Sequence, residues 1–165
     1  MRRPQKRSEI PPRNSDHDGR RLAALTNPNT VPLHYRNVRY EGSSKHKRHP
    51  HLFELEPFRG DRGDRTLCDD HASFSWADRG RIPKLISRGL SAQLVGTRIW
   101  TIDDNGWIYE LSVTNSVAEL YHGYPIRPSE AIAKIVYKRF DAWASQHGTE
   151  ADKNAAAACK SRYRF

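Results

Sequence analysis

A chain of 165 residues with two cysteines and a formal charge of +9 has the size of one folded domain plus a tail, and too few thiols for a disulfide-stapled secreted scaffold. No run of 18 or so apolar residues occurs, so a membrane span is not expected, and the lack of an apolar leader predicts a cytoplasmic protein. The basicity points to a polyanionic partner and is concentrated early: residues 1–50 carry 12 Lys/Arg against 4 Asp/Glu, and the remainder carries 16 against 15.

Residues 1–32 are rich in Arg, Pro, Ser and Asn and lack periodic apolar positions, which predicts a flexible basic arm with a short helical possibility at Gly19–Leu25. The folded unit is expected over 33–148. Leu33–Tyr40 reads as a strand, and Gly42-Ser43-Ser44 then leads into a cationic cluster. Arg81–Gly89 reads as a short helix with Pro83 in its first turn and Gly89 as a left-handed stop.

The period then changes to two. Ile99–Ile102 and Trp107–Val113 alternate around Asp104-Asn105-Gly106, a strong hairpin signal, with Trp107, Tyr109, Leu111 and Val113 on one face. Strands at Leu90–Val95 and Leu120–Tyr124 would complete a four-stranded antiparallel sheet. Past Pro128-Ser129-Glu130, a helix carries Ile132, Ile135, Val136, Phe140 and Trp143 on one stripe and should cover the sheet. Residues 149–165 fit either a second helix or a basic tail. The expected class is α+β: a small antiparallel sheet packed by one or two helices, with a basic arm.

Two constellations carry chemistry. Lys45-His46-Lys47-Arg48-His49-Pro50-His51 gathers cations and imidazoles in one short stretch, and Tyr121-His122-Gly123-Tyr124-Pro125-Ile126-Arg127 sets a histidine and an arginine at the exit of the last strand. RNA cleavage by 2'-hydroxyl attack needs a base, an acid and cations around the phosphorane. Lys45, His46, His122 and Arg127 are the residue types for those roles, with no cofactor required. Lys47, Arg48, His49, Arg65 and Arg88 are candidate phosphate contacts, and Trp107 and Tyr124 candidate base-stacking platforms. The same region admits a structural zinc alternative, because His46, His49, Cys68 and His71 have the ligand types and pair spacing of such a site.

Gly42-Ser43-Ser44-Lys45-His46, Pro50, the Gly63–Asp69 stretch, the sheet and Tyr121-His122-Gly123 with Arg127 together resemble the small ribonuclease domains of bacterial polymorphic toxins. These form the barnase, EndoU, colicin and RelE superfamily, and the tRNA-cutting colicin type is the nearest. The likeness spans about residues 40–140. It implies a helix-plus-antiparallel-sheet domain that cuts tRNA or mRNA without metal to a 2',3'-cyclic phosphate, and an acidic inhibitor protein as partner. Two departures stand out: the middle motif reads Arg65-Thr66-Leu67-Cys68-Asp69-Asp70-His71 in place of a plain Leu-Asp, and Tyr124-Pro125 falls inside the closing motif. A non-catalytic nucleic-acid-binding module and a small zinc-stabilised adaptor are the competing expectations.

Overall fold

In a computed structural model, residues 19–25, 39–61, 80–115 and 120–165 are described. The chain forms an α+β fold in which a four-stranded sheet lies between one helix on one face and two on the other. The strands are β1 (Arg39–Tyr40), β2 (Ile99–Ile102), β3 (Ile108–Asn115) and β4 (Leu120–Pro125), in spatial order β1-β4-β3-β2.

The β2–β3 hairpin forms as its turn chemistry predicts. Gly106 adopts φ +80° and donates to the Asp103 carbonyl at 3.0 Å, while Asp103 Oδ1 accepts from the Trp107 amide at 2.8 Å. Glycine is required there twice over, because a Cβ would also stand 2.4 Å from the backbone of Cys159 in the last helix. β3 and β4 pair antiparallel with a register shift between Val113 and Asn115.

The sheet departs from expectation at both edges. Leu90–Val95 is not a strand: the helix α1 (Ile82–Ser91) runs through its first part, leaving only a Val95–Ile99 bridge. The fourth strand is β1, which pairs parallel to β4 through Arg39–Leu120 and Tyr40–Tyr121, so the sheet is mixed rather than purely antiparallel. Nor is Gly89 a helix stop. It is buried inside α1, where an added Cβ would meet the Trp100 carbonyl oxygen at 2.1 Å, so its role is to let helix and strand backbones approach.

α1 buries Ile82, Leu85, Ile86 and Leu90 at helical spacing against Ile99, Tyr109 and Leu111. The opposite face of the sheet presents Trp100, Ile102 and Ile108 to α2 (Ala131–His147) and α3 (Glu150–Tyr163). Of the stripe expected on α2, Ile132, Val136 and Phe140 are buried, whereas Ile135 is exposed. α3 is the second helix, started by a reciprocal capping box between Thr149 and Asp152. Its alanines allow close packing on α2, and the Tyr163 hydroxyl donates to the Ile126 carbonyl at 2.8 Å while accepting from the Ile108 amide at 3.1 Å. The basic residues of the C-terminus are therefore carried on a docked helix.

Of the basic arm, 19–25 is described, and it is extended rather than helical, bridged at Leu22 to Gly96. No helix among the described residues is long and apolar enough to cross a membrane.

Candidate active site

The pairing of β1 with β4 brings the two constellations together across some eighty positions of sequence. The Glu41 amide donates to the Tyr121 carbonyl at 2.8 Å; Gly42 then turns the chain at φ +59° into a 3-10 turn, Ser44–His46. Lys45 and Lys47 are thereby close enough to His122 for their charge to act on it. Burial chiefly, then Arg98, Lys45 and Lys47, hold the His122 imidazole below the ordinary histidine value. It is neutral, and so able to accept a proton, at physiological pH.

Lys45 is exposed, with Nζ 5.6 Å from the Phe58 ring centroid. His46 closes the turn; its side chain lies outside the described part of the structure. Arg48 and His49 are exposed on the following segment, where the His49 ring meets that of His51 edge-on at 5.9 Å.

His122 sits opposite Ser112 in the β3–β4 register, and its ring centroid is 6.2 Å from that of Tyr124. Period-two alternation puts Glu110, Ser112, His122 and Tyr124 on the face that also carries Trp100. α2 and α3 cover the apolar part of this face and leave its polar part as a cluster. Arg98 Nη1 donates to the Ser112 hydroxyl and, at 3.4 Å, to Tyr124 Oη. Ser112 and Tyr124 share a hydrogen bond of 3.2 Å, and the Tyr124 hydroxyl donates to Glu110 Oε1.

Glu110 anchors the group. It is fully buried, and it accepts from Trp100 Nε1 at 3.0 Å, from Arg20 Nη2 at 3.0 Å and from Arg98 Nε at 3.4 Å. Arg20 also bridges to Glu130 Oε2 at 3.0 Å, and Glu130 Oε1 accepts the Arg127 amide at 3.0 Å. Burial first, then the Glu110 carboxylate and the hydrogen bond to it, push the Tyr124 phenol above its ordinary value, so Tyr124 stays protonated as a donor. A half-exposed guanidinium, two hydroxyls and a neutral imidazole thus stand side by side on a rigid sheet, within reach of the Lys45 field. This is a set able to grip a phosphodiester and move a proton.

Several expected site residues lie elsewhere. Arg127 follows the end of β4, where its amide donates to Glu130, and it is not among the charges that act on the His122 imidazole. Arg98 is the arginine beside His122. Lys47 is not a surface phosphate contact: only 1% exposed, it donates to the Tyr40 hydroxyl at 2.8 Å and lies 4.0 Å over the Phe53 ring. It lines an apolar cavity of about 40 Å3 beneath α1. Arg88 is committed to the fold, with 2.8 Å contacts to the Ile102 carbonyl, Asp104 and Asp152.

Trp107 is half-buried, with Arg162 stacked 4.3 Å over its ring and Tyr163 against its edge, so this ring is occupied from within the protein and is not an open base platform. Tyr124 is engaged through its hydroxyl in the Glu110 cluster rather than presented for stacking. Arg65, Cys68 and His71 lie outside the described residues; among the described ones no group of three His, Cys, Asp or Glu side chains is arranged to hold a metal.

Sequence reading passed over Arg20, Arg98, Glu110 and Ser112. The available signal was on β3: Glu110 and Ser112 share a face with Ile108, and a carboxylate in the middle of an alternating core strand marks a buried ionic network. Comparison of the chain with protein-family models, curated proteins and solved structures finds no match.

Proposed function

We propose that this protein is a metal-independent endoribonuclease acting on tRNA or mRNA. The observation that carries the reading is the neutral, half-buried His122 imidazole placed between Arg98 and the Lys45 turn. In this reading His122 takes the proton of the RNA 2'-hydroxyl as its oxygen attacks phosphorus. The bond from phosphorus to the 5'-oxygen breaks, leaving a 2',3'-cyclic phosphate, and His46 returns a proton to the departing oxygen. Lys45 and Arg98 stabilise the charge that develops on the phosphorane, with the Ser112 and Tyr124 hydroxyls as further donors. Arg48 and His49, exposed on the adjoining segment, meet flanking phosphates.

The test is incubation of the purified protein with total RNA in the presence of chelator, followed by mapping of the ends. Cyclic phosphate termini that disappear with His122→Ala support the reading. Salt-sensitive binding without any product at any pH would instead leave a passive nucleic-acid-binding module.

A further inference from the structure

The polar cluster is not completed by the sheet alone. Its second guanidinium comes from Gly19–Leu25, a segment remote in sequence from every strand and helix that it touches. The segment is held by its backbone: the Ala23 amide donates to the Val95 carbonyl at 2.8 Å and the Thr97 amide to the Arg21 carbonyl at 3.2 Å. The Arg21 amide donates to Thr97 Oγ1 at 3.2 Å, and Arg139 Nη1 on α2 donates to the Ala23 carbonyl at 2.6 Å. Gly96 is the gap that admits it. A Cβ there would stand 1.8 Å from the Arg21 carbonyl oxygen and 2.9 Å from the Ala23 nitrogen, both backbone atoms of the segment itself.

What the segment delivers is one charge. Arg20, 9% exposed, spans Glu110 and Glu130 with one nitrogen on each at 3.0 Å. The groups facing the two carboxylates are Arg20, Arg98 from the edge of β2, the Trp100 indole N–H, the Tyr124 phenol and the Arg127 amide. The cluster balances as two guanidiniums against two carboxylates. Without Arg20, Glu110 keeps only the outlying Arg98 and Glu130 loses its ion pair, so the nearby Glu110 charge and burial both disfavour the ionised Glu130.

We infer that the docked Gly19–Leu25 segment is an in-cis charge clamp that completes the site. Arg20 is a positioning residue that supplies the counter-charge between Glu110 and Glu130, so that Glu110 can hold Tyr124 and Arg98 in place. Release of the segment switches the site off. The consequence for catalysis rests on the ribonuclease reading; the electrostatic consequence does not, and the two are measured separately.

The experiment uses the full chain with Arg20→Met, Arg20→Lys, Gly96→Ala and the double variant Arg20→Met/Glu130→Gln. Thermal stability is followed from pH 5 to 8 and RNA cleavage is measured alongside. Burial already holds the Glu130 carboxyl above its ordinary value and Arg20 pulls it down, so loss of the cation raises it further. Such a shift costs stability at neutral pH and ceases to cost it as pH falls through the raised value. The melting deficit of Arg20→Met should therefore be largest near neutrality and shrink on acidification. Gly96→Ala should show the same pH dependence, Arg20→Lys a smaller deficit, and Glu130→Gln in the Met background should abolish the pH dependence. Cleavage by Arg20→Met should fall by about tenfold to a hundredfold, the scale of misplaced catalytic groups, with partial recovery in the Lys and double variants.

A deficit equal at every pH, no rescue by Glu130→Gln, or a parent-like Gly96→Ala overturns the clamp. A parent protein that leaves RNA uncut overturns the ribonuclease reading instead, while the melting data still decide the clamp.

Discussion

Replacing Glu110 by glutamine keeps the shape of the side chain and removes one negative charge from the balanced cluster. Arg20 then keeps Glu130 as its carboxylate partner, and its Nη2 faces a neutral amide where it had a carboxylate at 3.0 Å. Removing one partner of a buried ion pair typically costs about 3–5 kcal/mol, because the other charge stays desolvated. The Arg98 pair adds little to this, since Arg98 is 35% exposed and its contact is 3.4 Å. Only one of the two carboxylate positions keeps an oxygen, so either the Trp100 indole or the Arg20, Arg98 and Tyr124 donors meet an NH2 instead. A loss of at least about 3 kcal/mol is therefore expected, and at about 2–4 °C per kcal/mol for a chain of this size the melting temperature should fall by roughly 10 °C. Chemical denaturation checks it: the midpoint should drop with the slope unchanged, which marks lost stability rather than partial unfolding. A fall under about 1 kcal/mol, the scale of surface changes, would mean that Glu110 is screened by water and does not hold the cluster together.

Two further outcomes follow from the same geometry. Because burial and then Arg98, Lys45 and Lys47 depress the His122 imidazole, the acidic limb of RNA cleavage should lie below the ordinary histidine range near 6.5; Lys45→Ala removes a cation, so it should move the limb to higher pH while slowing the reaction. An unmoved limb would show that His122 is not the titrating base. Two glycines should also respond oppositely to alanine. At Gly89 the new Cβ meets the Trp100 carbonyl oxygen at 2.1 Å, so α1 must shift and stability should fall by about 1–3 kcal/mol or more. At Gly123 the nearest atoms are 3.7 and 3.8 Å away, beside the cavity beneath α1, so alanine should be tolerated or stabilise by about 0.4–1 kcal/mol. Urea denaturation of the pair checks the ordering, and a Gly89→Ala protein as stable as the parent would refute it.

The elements visible in sequence are those whose signal is local. Asp104-Asn105-Gly106 between alternating strands specified the hairpin, and the Ile132, Val136, Phe140 spacing specified α2, because turn chemistry and side-chain periodicity act over a few residues. The leucines and isoleucines of α1 were equally legible, and the density of Lys45, His46 and their neighbours singled out one half of the site. α3 was half-legible, since an alanine-rich helix shows little amphipathic contrast until a partner helix is in place.

What sequence left open was decided by pairing at a distance. Of the Leu33–Tyr40 stretch read as a strand, Arg39–Tyr40 is described as β1 and 33–38 lies outside the described residues; its pairing with β4, which no motif announced, sets the Lys45 turn beside His122. Arg127 looked like a partner of His122 because five positions are short in sequence, yet the arginine whose charge acts on His122 is Arg98, which enters β2 two strands away and reaches across to Ser112 on β3. Lys47 looked like a phosphate contact until Tyr40 and Phe53 enclosed it. The same holds for Arg20, which reads as one more cation of a basic arm and becomes the counter-charge of two buried carboxylates only when Gly96 admits its backbone. By itself the sequence determined the class of fold, the hairpin and the main helices. The tertiary structure alone decided which charges meet, because an ion pair depends on distance in space and on exclusion of water, and neither is written in the order of residues along the chain.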